Sequence, residues 1–172
     1  MPVMPALAQQ DHNHMEIENF VKSYTEDDLL KIMFDWNGKH ADGFEDHNIE
    51  FRRCVLEYFK EHMSSFPIQL IVDLYEAETQ LAKEAWGVNP IVSDLAQELL
   101  ERGRAKYVVE YLKGLGRGMD AHIQAKKVEL TDECLNELIN YCENNRSTGV
   151  FQNEGQLDIL IEFFQWKLQE KR

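Results

Sequence analysis

The sequence predicts an all-α protein, a compact bundle of about seven to nine amphipathic helices, with stacked helical hairpins as the alternative arrangement. Apolar residues recur at spacings of three and four along most of the 172 residues, as on the buried face of a helix. No stretch alternates apolar and polar residues over the length of a strand. Glycine, proline and capping residues separate the periodic segments, which indicates short connections between helices.

The clearest helical pattern runs from Phe66 to Trp86, and this segment is predicted to be the central helix. Its apolar stripe comprises Leu70, Ile71, Leu74, Tyr75, Ala77, Leu81, Ala82 and Ala85. Pro67 suits the first turn, where a missing N–H costs nothing, and Gly87 is expected to take the left-handed conformation that ends the helix. About twenty residues give roughly 30 Å of helix, enough to cross a small domain.

Four segments are predicted before the central helix. They are a helix over residues 15–23, a helix over 25–36, a loop over 37–46 and a helix over 46–62. The second of these helices begins with a capping pattern, because Thr25 is followed three residues later by Asp28. The loop is indicated by Gly38 and Gly43.

Five further helices are predicted after the central one. They cover residues 91–102, 104–113, 119–127, the segment that follows Thr131, and 156–171. Gly103 ends the first of them, and Thr131 with Glu133 caps the fourth. A second long loop, residues 144–155, precedes the final helix.

Length and composition are those of one globular domain, predicted over residues 14–172 after a flexible tail over residues 1–13. Hydrophobic residues make up 44% of the chain and charged residues 28%. The tail lacks the basic start of a signal peptide, and no apolar run approaches 18 residues. The cysteines, Cys54, Cys134 and Cys142, lie in helical patterns and are expected to be reduced, partly buried thiols. We therefore expect a cytoplasmic protein that does not enter a membrane.

The net charge of −13 predicts a basic protein partner. So large an acidic excess argues against binding to nucleic acid or to an anionic membrane. The predicted partner-binding surface lies in the acid-rich first half, whose only competing interpretation is a solvated face. Its residues are Glu26, Asp27, Asp28, Asp35, Asp42, Glu45 and Asp46.

A basic island interrupts the acidic chain over residues 102–127, with seven bases and two acids. It contains a glycine-rich turn whose backbone N–H groups could hold an anion, formed by Lys113, Gly114, Gly116, Arg117 and Gly118. No strand precedes the turn, as nucleotide-binding glycine motifs require. The favoured alternative is a helix end whose bases pair with acids elsewhere; nucleic-acid recognition through residues 102–127 is a further alternative.

Histidine and acidic side chains also gather around the first loop, which suggests a metal site as another alternative. The candidate ligands are His40, Asp42, His47 and Glu50. Their atom types suit a divalent metal, but their spacing matches no metal-binding motif. A solvated acidic loop explains the same residues. No Ser, Cys or Thr lies in a recognisable nucleophile motif, so no catalytic residue and no cofactor is assigned.

The last helix, over residues 156–171, is apolar most of the way round. Ile159, Phe163 and Trp166 lie outside the phase of its inward-facing residues. A helix of this kind is either central to the core or covered by another chain. Core packing is the favoured interpretation, and a homodimer or partner seam is the alternative.

Together these observations predict a non-enzymatic, acidic interaction protein. An inhibitor of the immunity-protein or antitoxin kind, which covers a basic partner, needs no catalytic residues and benefits from acidic steering. A helical ligand-binding protein or enzyme, using the histidine loop or the glycine-rich turn, is the first alternative. A nucleic-acid-binding regulator is the second.

Overall fold

The computed structural model describes residues 6–171, with side chains from Asn13 onward. Within these residues there are eight α-helices and no β-strand, so the all-α prediction is confirmed. The helices are α1 (Ala6–Lys22), α2 (Ile49–His62), α3 (Ile68–Ala85), α4 (Val92–Gly103), α5 (Val108–Leu115), α6 (Met119–Ala125), α7 (Asp132–Asn144) and α8 (Glu154–Glu170). None of these eight has the length and the hydropathy that crossing a bilayer requires.

Helix α3 is the central element, as predicted. It packs against α4, α5 and α6, while α1 packs on α2 and α7 on α8. Its side chains Leu70, Ile71, Leu74 and Tyr75 are almost completely buried. They belong to one apolar cluster that also takes in residues of α1, α2, α4, α5, α7 and α8. The predicted compact bundle is therefore confirmed for the described residues.

The first helix is longer than its sequence pattern indicated. Helix α1 begins at Ala6, nine residues before the predicted start at Met15. Residues 6–13 of the predicted tail are therefore helical, and residues 1–5 lie outside the described residues.

The helix predicted over residues 25–36 is wrong. Only a 3₁₀ turn forms, over Glu26–Lys31, although the capping contact at its start is present. Carbonyl groups at and after the end of this turn accept hydrogen bonds from two side chains, one in α2 and one in the residue that precedes α2. Asn48 donates to the carbonyls of Leu30 and Met33, and Arg52 donates to those of Ile32 and Met33. Because these distant donors satisfy the last turn, the chain can leave the helix and enter an irregular loop.

The end of α3 also differs from the prediction. Trp86, and not Gly87, takes the left-handed conformation, with φ 56° and ψ 40°. Left-handed backbone costs a residue with a side chain roughly 1–2 kcal/mol. Trp86 is 89% exposed, so no burial of its indole offsets this cost.

The cysteines divide into two environments. Cys134 and Cys142 are buried, and burial raises the pKa of each thiol to about 12. Cys54 is exposed, so the expectation of three partly buried thiols is wrong for this residue.

Candidate functional site

Five of the seven residues predicted to form the acidic surface are exposed. These are Glu26, Asp27, Asp35, Asp42 and Glu45. Asp28 is half-buried and accepts hydrogen bonds from the Thr25 backbone and from Lys31. The bond from Lys31, together with that from Thr25, lowers the pKa of Asp28 below its ordinary value.

Asp46 does not belong to that surface, because it lies inside the protein beside Arg52. Arg52 has no exposed surface and donates to two buried carboxylates, Asp46 Oδ2 at 2.5 Å and Glu78 Oε1 at 2.7 Å. Burial disfavours the guanidinium charge, but the bonds to Asp46 and Glu78 outweigh it and raise the pKa of Arg52. We call these three residues the buried charge triad. It joins α2 to α3 and to the loop that precedes α2.

That loop, residues 34–47, folds back on itself and gathers aromatic side chains. An antiparallel bridge pairs Trp36 with Asp46, and the Trp36 indole N–H donates to the Lys39 carbonyl at 2.8 Å. The rings of Phe34 and Trp36 stack at 6.3 Å, and Phe44 lies 6.4 Å from each of them. These three aromatic side chains are only half-buried. The loop thus presents an aromatic surface instead of burying it.

Two open pockets that share Glu84 lie between this loop, which we call the aromatic loop, and the C-terminal half of α3, and we treat them as one cleft. On the loop side it is lined by Phe34, Asp35, Trp36, His40, Ala41 and Phe44, and on the α3 side by Gln80, Lys83, Glu84, Ala85 and Trp86, with Arg117 at one end. We call this the acidic aromatic cleft. It contains Asp35 of the predicted acidic surface.

Two residues in this cleft have left-handed backbone. Three non-glycine residues in the described chain have positive φ, and of these Ala41, with φ 54°, and Trp86 face the same cleft from opposite sides. Such conformations cost of order 1–3 kcal/mol and concentrate at functional sites. Ala41 lies in the aromatic loop, and Trp86, the most exposed of the three tryptophans, lies at the rim of the cleft.

The cleft is lined by two acids, Asp35 and Glu84, and by two bases, Lys83 and Arg117. Asp35 and Glu45 come together on either side of His47, whose ring nitrogens lie 3.2 and 3.8 Å from their carboxylates. The two bases in the cleft are already paired, Lys83 with Glu84 at 3.6 Å and Arg117 with Glu76 at 3.1 Å.

A second groove continues the cleft towards the start of α3, where it is lined by Leu29, Phe34, Asp73 and Glu76 among others. The Asp73 carboxylate accepts a hydrogen bond from the Tyr24 hydroxyl at 2.7 Å. Burial raises the pKa of Asp73, and the neighbouring charges of Glu76 and Glu26 add to the increase. The electrostatic environment of this groove is therefore negative.

The predicted metal site is not assembled. No group of three or more His, Cys, Asp or Glu side chains converges as metal ligands within the described residues. His47 lies beside Asp35, Glu50 accepts a bond from Arg53 at 2.9 Å, and His40 packs against the Trp36 ring at 4.9 Å.

The predicted anion-binding turn is occupied by structural contacts. Gly114 is buried so close to Tyr75 that a β-carbon would lie 2.4 Å from the ring. Arg117 donates to the Glu76 carboxylate and carbonyl and to the Thr79 hydroxyl. The guanidinium expected to bind an anion thus holds α3 to the turn.

The rest of the basic island is only partly paired with acids. Arg102 lies near Glu98, and Arg104 lies near Glu101, Glu133 and Glu137. These contacts agree with the favoured structural alternative for the arginines. Within residues 13–171, Lys106 and Lys113 have no carboxylate within ion-pair distance; Lys106 lies over the Tyr107 ring at 4.9 Å.

Sequence reasoning missed the triad and the cleft, although signals for both exist. Arg52 precedes Val55, Leu56 and Phe59 at spacings of three, four and seven, so it occupies the apolar face of its own helix. A charged residue at such a position indicates a buried ion pair. The aromatic loop is visible as four ring-bearing residues among polar ones, from Phe34 to Phe44.

Comparison of the chain with models of known families, with curated proteins and with solved structures gave no match. The functional interpretation therefore depends on the chemistry of the cleft.

Proposed function

We propose that the protein is a non-enzymatic binding protein that captures a basic protein partner, with the acidic aromatic cleft as the principal contact. The observation that supports this most directly is Trp86, which is 89% exposed and held in a left-handed conformation at the rim of the cleft. Tryptophan is the residue type most often found to dominate binding energy at protein interfaces. A fold stabilised only for its own sake would have glycine here.

The chemistry of the cleft fits lysine and arginine side chains of a partner. Half-exposed Phe34, Trp36 and Phe44 can accept cations over their ring faces. Exposed Asp35 and Glu45, near these rings, can pair with the same cations. The surrounding acids, including Glu26, Asp27 and Asp42, add long-range attraction that accelerates encounter.

An inhibitor of the immunity-protein or antitoxin kind is the most specific form of this proposal. Such a protein acts by covering a basic active or nucleic-acid-binding surface, and it needs a rigid, pre-formed contact site because ordering a loop on binding costs affinity. The buried charge triad supports this form of the proposal, since it secures the aromatic loop to α2 and α3 in the unbound protein.

The proposal is tested by site-specific crosslinking followed by kinetics. A photo-crosslinking amino acid at position 83, which is exposed and lines the cleft beside Trp86, should capture a partner with a net positive charge, whereas the same group at position 57, on the exposed face of α2, should not. With that partner purified, Asp35→Lys together with Glu45→Lys should slow association about tenfold at low salt, because steering depends on local charge.

A matched control carries the same change of net charge away from the cleft, Glu57→Lys with Glu61→Lys on α2. Equal slowing by both pairs would show that only the overall charge matters and would contradict the assignment of the cleft. An acidic partner crosslinked at position 83 would contradict the proposed function itself.

Trp86→Gly separates stability from binding. Glycine takes left-handed backbone without a steric cost, so we expect the free energy of unfolding to rise by about 1 kcal/mol, while partner affinity falls at least tenfold. Urea denaturation and titration with the crosslinked partner measure the two effects. A destabilised variant would show that the indole packs on the protein; unchanged affinity would remove Trp86 from the contact.

A further inference from the structure

Two histidine side chains meet where α1 packs beside the last turn of α2. His14 belongs to α1, His62 is the last residue of α2, and the centres of their rings lie 6.1 Å apart. His14 is exposed and His62 is half-buried, so solvent reaches both imidazoles. We call them the α1–α2 histidine pair. Neither residue lines the acidic aromatic cleft.

The His62 ring is held in one orientation by its own helix. Its Nδ1 lies 3.0 Å from the Tyr58 carbonyl, and its ring stacks on the Tyr58 ring with the centres 4.0 Å apart. A carbonyl only accepts, so Nδ1 carries the hydrogen and Nε2 keeps a free lone pair. A metal-binding histidine is commonly supported in the same way, by a bond from its other nitrogen to a backbone carbonyl. His62 therefore has the tautomer and the support of a metal ligand.

The separation of the two rings is close to what one shared ion requires. With metal–nitrogen bonds of about 2 Å, two imidazole rings on one tetrahedral ion have their centres roughly 5 Å apart. The observed separation of 6.1 Å is only slightly larger. Because His14 is exposed, a small rotation of its side chain is enough to bring both rings to one ion.

A carboxylate lies beside the histidine pair. Glu18 follows His14 by four residues, which places both on one face of α1. Its carboxylate bonds to Lys22. This bond lowers the pKa of Glu18, and the charges of His14 and His62 lower it further, so the carboxylate lies near enough to both rings to interact with them. An exposed ion pair such as Glu18 with Lys22 contributes little stability, so it can be exchanged for another contact.

We propose that the α1–α2 histidine pair binds a divalent transition-metal ion of the Zn²⁺ type. His14 and His62 supply two nitrogen ligands, Glu18 leaves Lys22 to supply an oxygen ligand, and water completes the tetrahedron. Before the ion binds, only the two histidines are in place, in agreement with the lack of a converged three-ligand group among the described residues. The bound ion would fasten α1 to α2.

Aromatic packing on Tyr58 is the other explanation for the position of the two rings. The His14 ring meets the Tyr58 ring edge-on, with the centres 5.2 Å apart. Packing of this kind requires a ring but no nitrogen ligand. His14→Phe therefore separates the two explanations, because phenylalanine keeps a ring at position 14 and removes the ligand.

The test is a calorimetric titration of the protein, prepared without an affinity tag, with Zn²⁺ as the probe. We expect saturable binding of one ion per chain and a higher melting temperature with Zn²⁺, because the ligands come together only in the folded protein. His14→Phe and His62→Gln should each weaken binding by about tenfold or more, and Glu18→Gln should weaken it less. The matched control is His122→Gln, since the His122 Nδ1 also faces a backbone carbonyl, that of Leu115 at 3.4 Å, but on α6.

Melting temperature without Zn²⁺ shows whether each variant folds; His14→Phe should match the unmodified protein, since position 14 is exposed. Three outcomes would overturn the proposal: no saturable binding of Zn²⁺, unchanged binding in His14→Phe, or equal weakening by His122→Gln. Binding that is lost in His47→Gln and kept in His14→Phe would place the ion at the aromatic loop instead. Because the histidine pair shares no residue with the acidic aromatic cleft, its failure leaves the proposed function unaffected.

Discussion

Replacing Arg52 with methionine should destabilise the protein more at pH 7 than at pH 5. Arg52 is fully buried and donates to Asp46, to Glu78 and to the carbonyls of Ile32 and Met33. Methionine matches the volume of the arginine stem but leaves two buried carboxylates without a cation. Breaking a buried pair in this way costs about 3–5 kcal/mol.

The loss of stability depends on pH because the variant can neutralise a buried carboxylate by protonating it. A buried carboxylate without a partner takes up a proton, which costs about 1.4 kcal/mol for every pH unit above the ordinary pKa of roughly 4. For one such group the cost is about 4 kcal/mol at pH 7 and about 1.4 kcal/mol at pH 5. Asp46 still accepts from the backbone N–H groups of Asp35 and Asn48 at 3.2 Å, so Glu78 bears most of this cost. A loss of about 4 kcal/mol at pH 7 is a large part of the stability of many domains.

Urea denaturation at both pH values measures this directly, with circular dichroism as the signal. If Arg52→Met does not fold at pH 7, the triple variant Arg52→Met, Asp46→Asn, Glu78→Gln keeps the prediction testable. It should be more stable than the single variant at pH 7, because no buried charge remains. A loss below 1 kcal/mol in Arg52→Met at pH 7, or a loss that does not change with pH, would refute the account of the triad.

Two further predictions concern the core and its dependence on pH. Gly114→Ala should lower the free energy of unfolding by about 1–2 kcal/mol, because overpacking against Tyr75 outweighs the higher helix propensity of alanine. The control is Gly116→Ala, where a β-carbon would meet its nearest neighbour at 3.5 Å, an ordinary van der Waals contact. Stabilisation of both variants by the same amount would disprove the close approach. Burial disfavours the charged Glu101 carboxylate, but hydrogen bonds from Thr131 outweigh this effect and lower the pKa of Glu101. The charged carboxylate therefore stabilises the fold at pH values above the ordinary pKa of glutamate. This stabilisation is lost as the pH falls through the lowered pKa. Glu101→Gln should therefore cost about 1 kcal/mol at pH 7 and much less at pH 3, as measured by urea denaturation; a cost that does not change between these values would contradict the shift.

The helices that the sequence predicted well are those whose formation depends on their own residues. Helix α3 has an uninterrupted apolar stripe, and its observed range, Ile68–Ala85, lies within the predicted Phe66–Trp86. Helix α7 begins with the predicted cap, in which the Thr131 hydroxyl accepts from the Cys134 N–H at 3.2 Å. Local periodicity and capping decide such segments, so one sequence is enough to place them.

The segment over residues 25–36 could not be placed in this way. Its capping pattern and its apolar residues are those of a helix, but Asn48 and Arg52 take the carbonyls that a longer helix would use. These donors lie up to 20 residues away along the chain. Asn48 and Arg52 reach this segment only because α2 packs beside it, and the apolar pattern within the segment contains no information about that packing. The aromatic loop and the cleft result from this early helix end.

The three residues with strained backbone help to separate structural from functional features. Arg104 has φ 52°, and side-chain contacts offset the free-energy cost of this backbone conformation. Its guanidinium donates to the Glu101 carbonyl of α4 and lies near the Glu137 carboxylate of α7, so it joins the two helices. Ala41 and Trp86 have similar φ angles, yet both residues are exposed and neither closes the core.

A similar comparison applies to the buried charge triad, since apolar residues of the same volume would stabilise a helical bundle at least as well. What the triad supplies is one fixed position for the loop over residues 34–47, through Asp46 at the end of the loop and the carbonyls at its beginning. The hydrogen bonds of the triad thus hold the loop that forms one wall of the acidic aromatic cleft, and the strained residues Ala41 and Trp86 lie at its edges. Neither feature is needed to bury the core around α3, so the shape of this wall is the property that the triad maintains.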